Sequence, residues 1–208
     1  YGDMCGFAGF VGEVEDREQV LVNMMNTIIH RGPDSEGKYV DEDAALGFRR
    51  LSIIDLSSLG DQPLYNEDRS MVLVFNGELY NYQELRAELV KAGHAFVSNT
   101  DSETLIHGYE EWGEGLLDRL RGMYAFVIWD TRKKKLFGAR DIFGIKPLYY
   151  AQMNGTLMFA SEIKAFMEHP KFDKIFNEDA LGNYLSFQFV PTNETFFKGV
   201  FCVQPGHY

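Results

Sequence analysis

The stretch Met4-Cys5-Gly6-Phe7-Ala8-Gly9-Phe10-Val11 stands near the start of the chain and joins a single thiol to an apolar run. The run from Cys5 to Val11 predicts a buried strand. If Met4 is the initiator, the small side chain of Cys5 favours methionine removal, which leaves Cys5 with a free α-amino group. An amine with a pKa of about 7.7 to 8.0 can take the proton of a thiol with a pKa of about 8.5. Cys5 is therefore either a nucleophile that carries its own base or a small apolar residue within a strand.

Further short apolar runs along the chain predict more strands. They cover residues 45–48, 71–75, 124–129, 136–139, 149–153 and 156–160. Asn154-Gly155 separates the last two runs and is the strongest short-range hairpin signal in the chain. The basic run Arg132-Lys133-Lys134-Lys135 also lies between two predicted strands. We interpret it as a solvated turn rather than a surface for nucleic acid.

Other segments have the apolar spacing of helices. They cover residues 20–29, 82–91, 100–109, 162–168 and 178–185. Asp16 and Gln19 resemble a capping box before the first helix, and Thr100 with Glu103 forms the same pattern at the third. Gly93 is expected to end the second helix. Strands buried on both faces, with helices grouped before and between them, predict an α+β fold of packed layers rather than a repeating βαβ unit.

The composition bounds the size and excludes several classes of function. A chain of 208 residues with 45% apolar content can bury the core of one domain. Its formal net charge of −11 repels the phosphate backbone of nucleic acids. The histidines and cysteines lack His-x-x-x-His or Cys-x-x-Cys spacing, which predicts no metal site. No apolar run approaches the roughly 20 residues that cross a bilayer, so we expect a cytoplasmic protein with reduced thiols and no membrane partner.

Eight segments, spread in order along the chain, carry a resemblance to a known family. They are Met-Cys-Gly (4–6), His-Arg-Gly-Pro-Asp (30–34), Arg-Leu-Ser-Ile-Ile-Asp (50–55), Asn-Gly-Glu-Leu-Tyr-Asn (76–81), Asn-Thr-Asp-Ser-Glu (99–103), Arg-Gly-Met-Tyr-Ala-Phe (121–126), Arg-Asp-Ile-Phe-Gly-Ile-Lys-Pro-Leu-Tyr-Tyr (140–150) and Pro-Gly-His-Tyr (205–208). Together they resemble the glutaminase domain of class II glutamine amidotransferases, which are N-terminal-nucleophile hydrolases. The resemblance is closest to glutamine-hydrolysing asparagine synthetases. It implies a four-layer αββα sandwich over residues 4–208.

The resemblance also implies roles for individual residues in the hydrolysis of glutamine. The catalytic set is Cys5 as nucleophile with Asn76 and Gly77 as oxyanion donors. The substrate-binding set is Arg50, Leu51, Ser52, Ile53, Ile54, Asn76, Gly77, Glu78 and Asp101. In it Arg50 holds the substrate carboxylate, and Glu78 and Asp101 hold its ammonium group. Arg49 stands where a Glu is common in the family, and it is assigned no role.

Several of these residues also have an ordinary structural interpretation. Asn76-Gly77 reads as a hairpin turn, and an Arg at a strand end, such as Arg50, is often a solvated surface residue. An acidic residue such as Asp101 in the first turn of a helix stabilises that helix by itself. His30 is interpreted as part of a loop over the site, with a structural role rather than a catalytic one.

The resemblance further implies that L-glutamine is the substrate and that this domain needs no cofactor. ATP and Mg²⁺ are expected only for a C-terminal synthetase domain of the same polypeptide, because neither Ser-Gly-Gly-x-Asp-Ser nor Gly-x-x-x-x-Gly-Lys-Ser/Thr occurs here. A homodimer is compatible with the resemblance. Tyr1-Gly2-Asp3 has no counterpart in the family and is interpreted as a cloning remnant or a short propeptide. Two alternatives stay open: ammonia supply to another acceptor, such as a sugar phosphate or phosphoribosyl pyrophosphate, and a catalytically silent module that binds glutamine or a partner protein.

Overall fold

The computed structural model describes residues 5–51 and 61–208. In these residues ten strands form two antiparallel sheets. The strands are β1 (Gly6–Val11), β2 (Ser35–Val40), β3 (Ala44–Arg50), β4 (Leu64–Tyr65), β5 (Met71–Leu79), β6 (Gly122–Asp130), β7 (Lys135–Arg140), β8 (Tyr149–Met153), β9 (Thr156–Ala160) and β10 (Val200–Cys202). The first sheet has the order β10-β8-β9-β1-β3-β2, and the second has the order β4-β5-β6-β7. The predicted strand from Cys5 to Val11 is therefore confirmed from Gly6 onward, and it lies inside the first sheet.

Helices cover the outer faces of the two sheets. The α-helices are α1 (Arg17–Thr27), α2 (Tyr82–Ala92), α3 (Asp101–Trp112) and α4 (Glu178–Phe187), and 3-10 helices cover Ile29–Arg31, Gly113–Asp118 and Ile163–Glu168. Leu21 and Met24 of α1 pack on the first sheet around Phe10. Leu85 of α2 and Leu105 of α3 pack on the second sheet.

The middle of the core lies between the two sheets. Phe7 and Phe48 of the first sheet meet Val74 and Trp129 of the second in one buried apolar cluster. Alternate residues of a strand point to opposite faces, so β5 contributes to this cluster with one face and to the helix-covered cluster with the other. The layers run helix, sheet, sheet, helix, which confirms the predicted α+β fold and the four-layer αββα sandwich.

Local sequence signals had mixed success at the ends of elements. Asn154 and Gly155 form the predicted hairpin between β8 and β9, with φ angles of 50° and 75°. Thr100 accepts the predicted hydrogen bond from the Glu103 amide at 3.4 Å. The carboxylate of Glu103, however, accepts from the amides of residues 97 and 98 instead of closing a box on Thr100.

Two helix predictions were wrong in detail. Asp16 has a left-handed φ of 50° and makes no capping hydrogen bond through its side chain, so the predicted capping box with Gln19 does not form. α1 also ends at Thr27, and Ile29 lies in a 3-10 turn with 49% of its surface exposed. The apolar spacing continues past Thr27 because Ile28 is still buried against the same core.

The basic run of the sequence lies in the turn between β6 and β7, as predicted, except that its last residue, Lys135, begins β7. Its side chains pair with carboxylates of neighbouring segments: Arg132 with Asp68 at 2.8 Å and Lys135 with Glu114 at 2.8 Å. These exposed pairs leave no concentrated positive surface at the turn. Among the described residues, no helix combines the length and apolar character needed to cross a bilayer.

Candidate active site

A cavity of about 540 Å³ opens where the two sheets and α3 meet. Residues from six separate parts of the chain line it, among them Cys5, Arg50, Asn76, Gly77 and Asp101. The fold brings them together because β1 begins beside the end of β3, while β5 ends beside the first turn of α3. Leu51, Glu78 and Lys146 are also part of the lining.

Cys5 lies directly before β1 and is held at the edge of the first sheet. Gly6 pairs with Arg49 of β3, which places Cys5 beside the chain leaving that strand. The amide of Leu51 lies 3.4 Å from the Cys5 sulfur, and Arg31 Nε donates to the Cys5 carbonyl at 3.2 Å. Half-buried and fixed on both sides, Cys5 presents its thiol to the cavity.

Asn76 supplies a buried amide group that has no hydrogen-bond partner. It shares a strand face with Val72 and Val74, which pack between the sheets where Cys5 also packs. The residue is 2% exposed, and its Nδ2 has no partner among the described residues. Burying an unsatisfied donor costs about 1 to 3 kcal/mol, so such a group calls for an explanation. An oxygen atom bound in the cavity would satisfy it.

Gly77 lies within β5, so the hairpin-turn interpretation of Asn76-Gly77 was wrong. It pairs with Tyr124 of β6, and a Cβ at this position would lie 2.2 Å from the Met123 carbonyl oxygen. The backbone there is too close to its neighbour for any side chain. A turn signal read from two residues fails because the strand continues through them to Leu79.

On the side of β5 that faces away from β6, a row of amide groups leads into the cavity. Phe75 N donates to Gln62 Oε1 at 2.6 Å, and Leu79 N donates to Asp101 Oδ2 at 2.9 Å. Strand alternation places the amide of Gly77 on this same edge, between the other two. The backbone of β5 thus directs a second N–H group toward the space beside Asn76.

Opposite charges face the cavity at Arg50 and Asp101. Arg50 ends β3, with a largely buried side chain that forms an ion pair with Asp61. Asp101 is the first residue of α3, and burial raises the pKa of its carboxyl against the lowering effect of the Leu79 and Ser102 amides; the exposed Glu78 raises that pKa further. A guanidinium and a pair of carboxylates suit the carboxylate and ammonium ends of an α-amino acid.

The family-level comparison agrees with this arrangement. The model of the glutamine amidotransferase domain matches residues 4–208. The chain belongs to this family. Glutamine-hydrolyzing asparagine synthetase 1 of Bacillus subtilis (strain 168) is 46% identical over 98% of this chain, and asparagine synthetase 2 of the same organism is 42% identical over 99%. The chain spans 33% and 28% of the length of these two relatives.

A solved structure supports the fold of this amidotransferase domain. Glutamine phosphoribosylpyrophosphate amidotransferase from B. subtilis, complexed with ADP and GMP, superposes with a TM-score of 0.69 at 23% identity. The match covers 83% of this chain and 45% of that one. At 23% sequence identity, this likeness shows that the two proteins share a fold.

The amidotransferase domain places most of the predicted site residues in one cavity. Cys5, Arg50, Leu51, Asn76, Gly77, Glu78 and Asp101 all line it. Ser52, Ile53 and Ile54 lie outside the described residues. The side chain of His30 is 51% exposed and binds Glu162 Oε1 at 2.8 Å, next to Arg31 on the same oxygen, and the structural role of His30 stays a prediction.

Sequence reasoning missed Lys146 as a cavity residue. Its side chain is buried, and burial lowers its pKa while Glu78, Asp141 and Cys5 raise it. A buried ammonium group near the thiol adds positive charge to the cavity. The segment 140–150 is one of those that carry the resemblance, but no neighbour in sequence indicates a role for its lysine.

Proposed function

We propose that this chain hydrolyses the side-chain amide of L-glutamine to L-glutamate and ammonia through a thioester on Cys5. One observation supports the proposal above the others: the thiol of Cys5 and the unpartnered amide of Asn76 line the same cavity. Acyl transfer requires a nucleophile and, in the same cavity, an unpaired hydrogen-bond donor for the oxyanion. Arg50 and Asp101 offer matching charges for the two ends of glutamine.

The reaction begins at Cys5, with residues 1–4 removed. The α-amine accepts the proton of Sγ, and the sulfur attacks the amide carbon of the glutamine side chain. The developing oxyanion accepts hydrogen bonds from Asn76 Nδ2 and the Gly77 amide. The Cys5 ammonium then returns its proton to the leaving nitrogen, and the C–N bond breaks. Ammonia departs, and the γ-glutamyl group remains bound to Cys5 as a thioester.

Water completes the cycle. The free amine of Cys5 removes a proton from water, which attacks the thioester carbon. The C–S bond breaks, the sulfur regains its proton from the ammonium, and glutamate is released. These steps use groups of this chain and water alone, so the domain needs neither metal nor nucleotide for hydrolysis.

We further infer that the ammonia serves ATP-dependent synthesis of asparagine from aspartate. The names of the two Bacillus relatives support this acceptor, and the relatives are about three to four times as long as the matched region. A C-terminal synthetase domain of the same polypeptide would bind ATP and Mg²⁺, with the whole protein in the cytosol. Downstream coding sequence with a Ser-Gly-Gly-x-Asp-Ser loop would support this acceptor, and a phosphoribosyl- or sugar-phosphate-binding domain would contradict it.

Glutamine hydrolysis is expected without ATP and in the presence of EDTA, and asparagine formation is not expected. Ammonia release is measured on protein whose intact mass shows a free Cys5, at a temperature well below unfolding. A Cys5→Ala variant is the matched control and should release none. A strict requirement for ATP or magnesium, or binding of glutamine without turnover, would contradict the proposal, and the second result would favour the silent module.

The Michaelis constant for glutamine is expected to rise as the pH falls through the raised pKa of Asp101. The protonated carboxyl is neutral and no longer attracts the substrate ammonium, whereas at higher pH the carboxylate does. Asp101→Asn should have a high Michaelis constant that lacks this titration. Asp179→Asn, an exposed first-turn position of α4, is the control for a simple effect on helix stability. An unchanged pH profile in Asp101→Asn would refute the role of Asp101.

A further inference from the structure

Four side chains that ligate metals converge outside the active-site cavity. Glu67, His94, His107 and Glu110 each offer one donor atom, and these atoms all lie within 4.8 Å of one another. Glu67 lies between β4 and β5, His94 follows the end of α2, and the other two lie on α3, three residues apart. The sequence predicted no metal site because these ligands come from three separate segments and match no spacing motif.

The distances between the donor atoms fit a four-coordinate ion. His94 Nδ1 lies 3.4 Å from Glu67 Oε1 and 3.8 Å from Glu110 Oε2. His107 Nδ1 lies 3.3 Å from Glu67 Oε2 and 3.8 Å from Glu110 Oε2. Ligands about 2.0 to 2.2 Å from a tetrahedral zinc ion are about 3.3 to 3.6 Å apart. The histidine–carboxylate distances are close to these values, and the remaining pairs of donor atoms, which lie within 4.8 Å of one another, would shorten by up to about 1 Å when an ion binds.

His107 gives a second and independent indication of a ligand. The residue is 1% exposed, and within the described residues neither ring nitrogen makes a hydrogen bond of acceptable geometry. Nδ1 lies 3.3 Å and 3.8 Å from two carboxylate oxygens, but neither contact meets both the distance and the angle of a hydrogen bond. A buried ring nitrogen facing two carboxylates and a second imidazole is in the position of a metal ligand.

The outer partners of these side chains also resemble those of a metal site. His94 Nε2 lies 3.2 Å from Glu111 Oε2, and His107 Nε2 lies 3.6 Å from Glu103 Oε1. Glu110 Oε1 accepts a hydrogen bond from Asn66 at 3.2 Å. Histidines that bind metals commonly direct the other ring nitrogen to a carboxylate, which fixes the orientation of the ring.

We propose that Glu67, His94, His107 and Glu110 bind one Zn²⁺ ion. Two imidazoles and two carboxylates in a tetrahedral arrangement suit zinc better than Ca²⁺ or Mg²⁺, which take six or more oxygen ligands. The ion joins the loop before β5 to α2 and α3, and so supports the two elements that carry Asn76 and Asp101. It contacts none of the groups used in hydrolysis, and the proposal stands whether or not the chain is a glutaminase.

The test is zinc titration of the whole chain in a Cys5→Ala background, since a free aminothiol chelates zinc by itself. After dialysis against EDTA, calorimetry should show one saturable site per chain, and Co²⁺ should give the strong visible absorption of a tetrahedral complex. His94→Gln and Glu110→Gln should each weaken zinc binding by more than about 100-fold, and Glu111→Gln by about 10-fold. His207→Gln, at an exposed histidine outside the cluster, should leave it unchanged.

Circular dichroism keeps the result interpretable, and folded variants are expected because Glu110 and Glu111 are exposed and His94 is only partly buried. Zinc should raise the melting temperature of the parent and of His207→Gln, but not of His94→Gln. The proposal would be overturned if the folded parent failed to bind zinc. It would also be overturned if His94→Gln and Glu110→Gln bound zinc with the same affinity as the parent. In the first case the cluster would be a set of polar contacts between histidines and carboxylates without a metal ion.

Discussion

Asn76→Ala is expected to lower the kcat for glutamine hydrolysis by about 100- to 1000-fold while the Michaelis constant changes little. The amide of Asn76 hydrogen-bonds to the oxyanion, which exists in the transition state and not in bound glutamine, so its loss slows chemistry more than binding. Steady-state ammonia release measures both constants. The buried Nδ2 has no partner in the described structure, which identifies the group whose removal matters.

Protein stability separates this role from a structural one. Because Asn76 Nδ2 is unpaired, Asn76→Ala removes a group that is costly to bury, and the free energy of unfolding should stay near that of the parent. Asn177 is a buried asparagine whose Nδ2 donates to the Thr195 carbonyl at 3.1 Å. Asn177→Ala should therefore lose about 1 kcal/mol or more and keep its kcat. The reverse pattern would show that Asn76 supports the fold instead of the reaction.

Arg50→Lys provides the kinetic contrast. A lysine ammonium replaces the two-pronged guanidinium, while Cys5 and Asn76 stay in place, so the Michaelis constant should rise more than kcat falls. If both variants failed in the same way, with thioester formation rate-limiting in each, the division of roles between Arg50 and Asn76 would be wrong.

The parts of the fold that could be predicted rest on short-range signals. The Asn154-Gly155 turn needs only two residues that accept positive φ, and the apolar runs at β1 and β5 are recognisable because both faces of these strands are buried. The capping box predicted at the start of α1 was wrong because Asp16 adopts a left-handed backbone, and its side chain makes no capping hydrogen bond there. The turn predicted at Asn76-Gly77 was wrong because both residues pair with β6, and this pairing overrides the local turn signal.

The site shows the same division between local and long-range information. Its polar residues could be recognised through family motifs, each contained in a few consecutive residues. Lys146 and Gln62 could not be recognised from the sequence, because their position at the cavity depends on how β7 and β5 meet the loops beside them. The zinc cluster proposed at His94 and His107 was missed for the same reason. Convergence of side chains from distant segments is a property of packing and leaves no spacing pattern in the sequence.

Removal of residues 1–4 is expected to raise glutaminase activity by about 100- to 10,000-fold, the range that a general acid–base group contributes. While these residues remain attached, the nitrogen of Cys5 is an amide without a basic lone pair, and the thiol has no base of its own. Such protein should fold normally, since the Cys5 carbonyl and sulfur keep their contacts with Arg31 and Leu51.

Intact-mass measurement shows which form is present, and the electrophile 6-diazo-5-oxo-norleucine reports on the thiol. It should label Cys5 only in the processed form. Cys202 is an internal control, because burial raises the pKa of its thiol and keeps it unreactive in both forms. Rapid labelling of Cys5 and full turnover by protein that still begins at Tyr1 would contradict the amine-as-base mechanism. The base would then have to be another group of the cavity, and Lys146, whose pKa burial lowers, is the cavity residue that would be tested next.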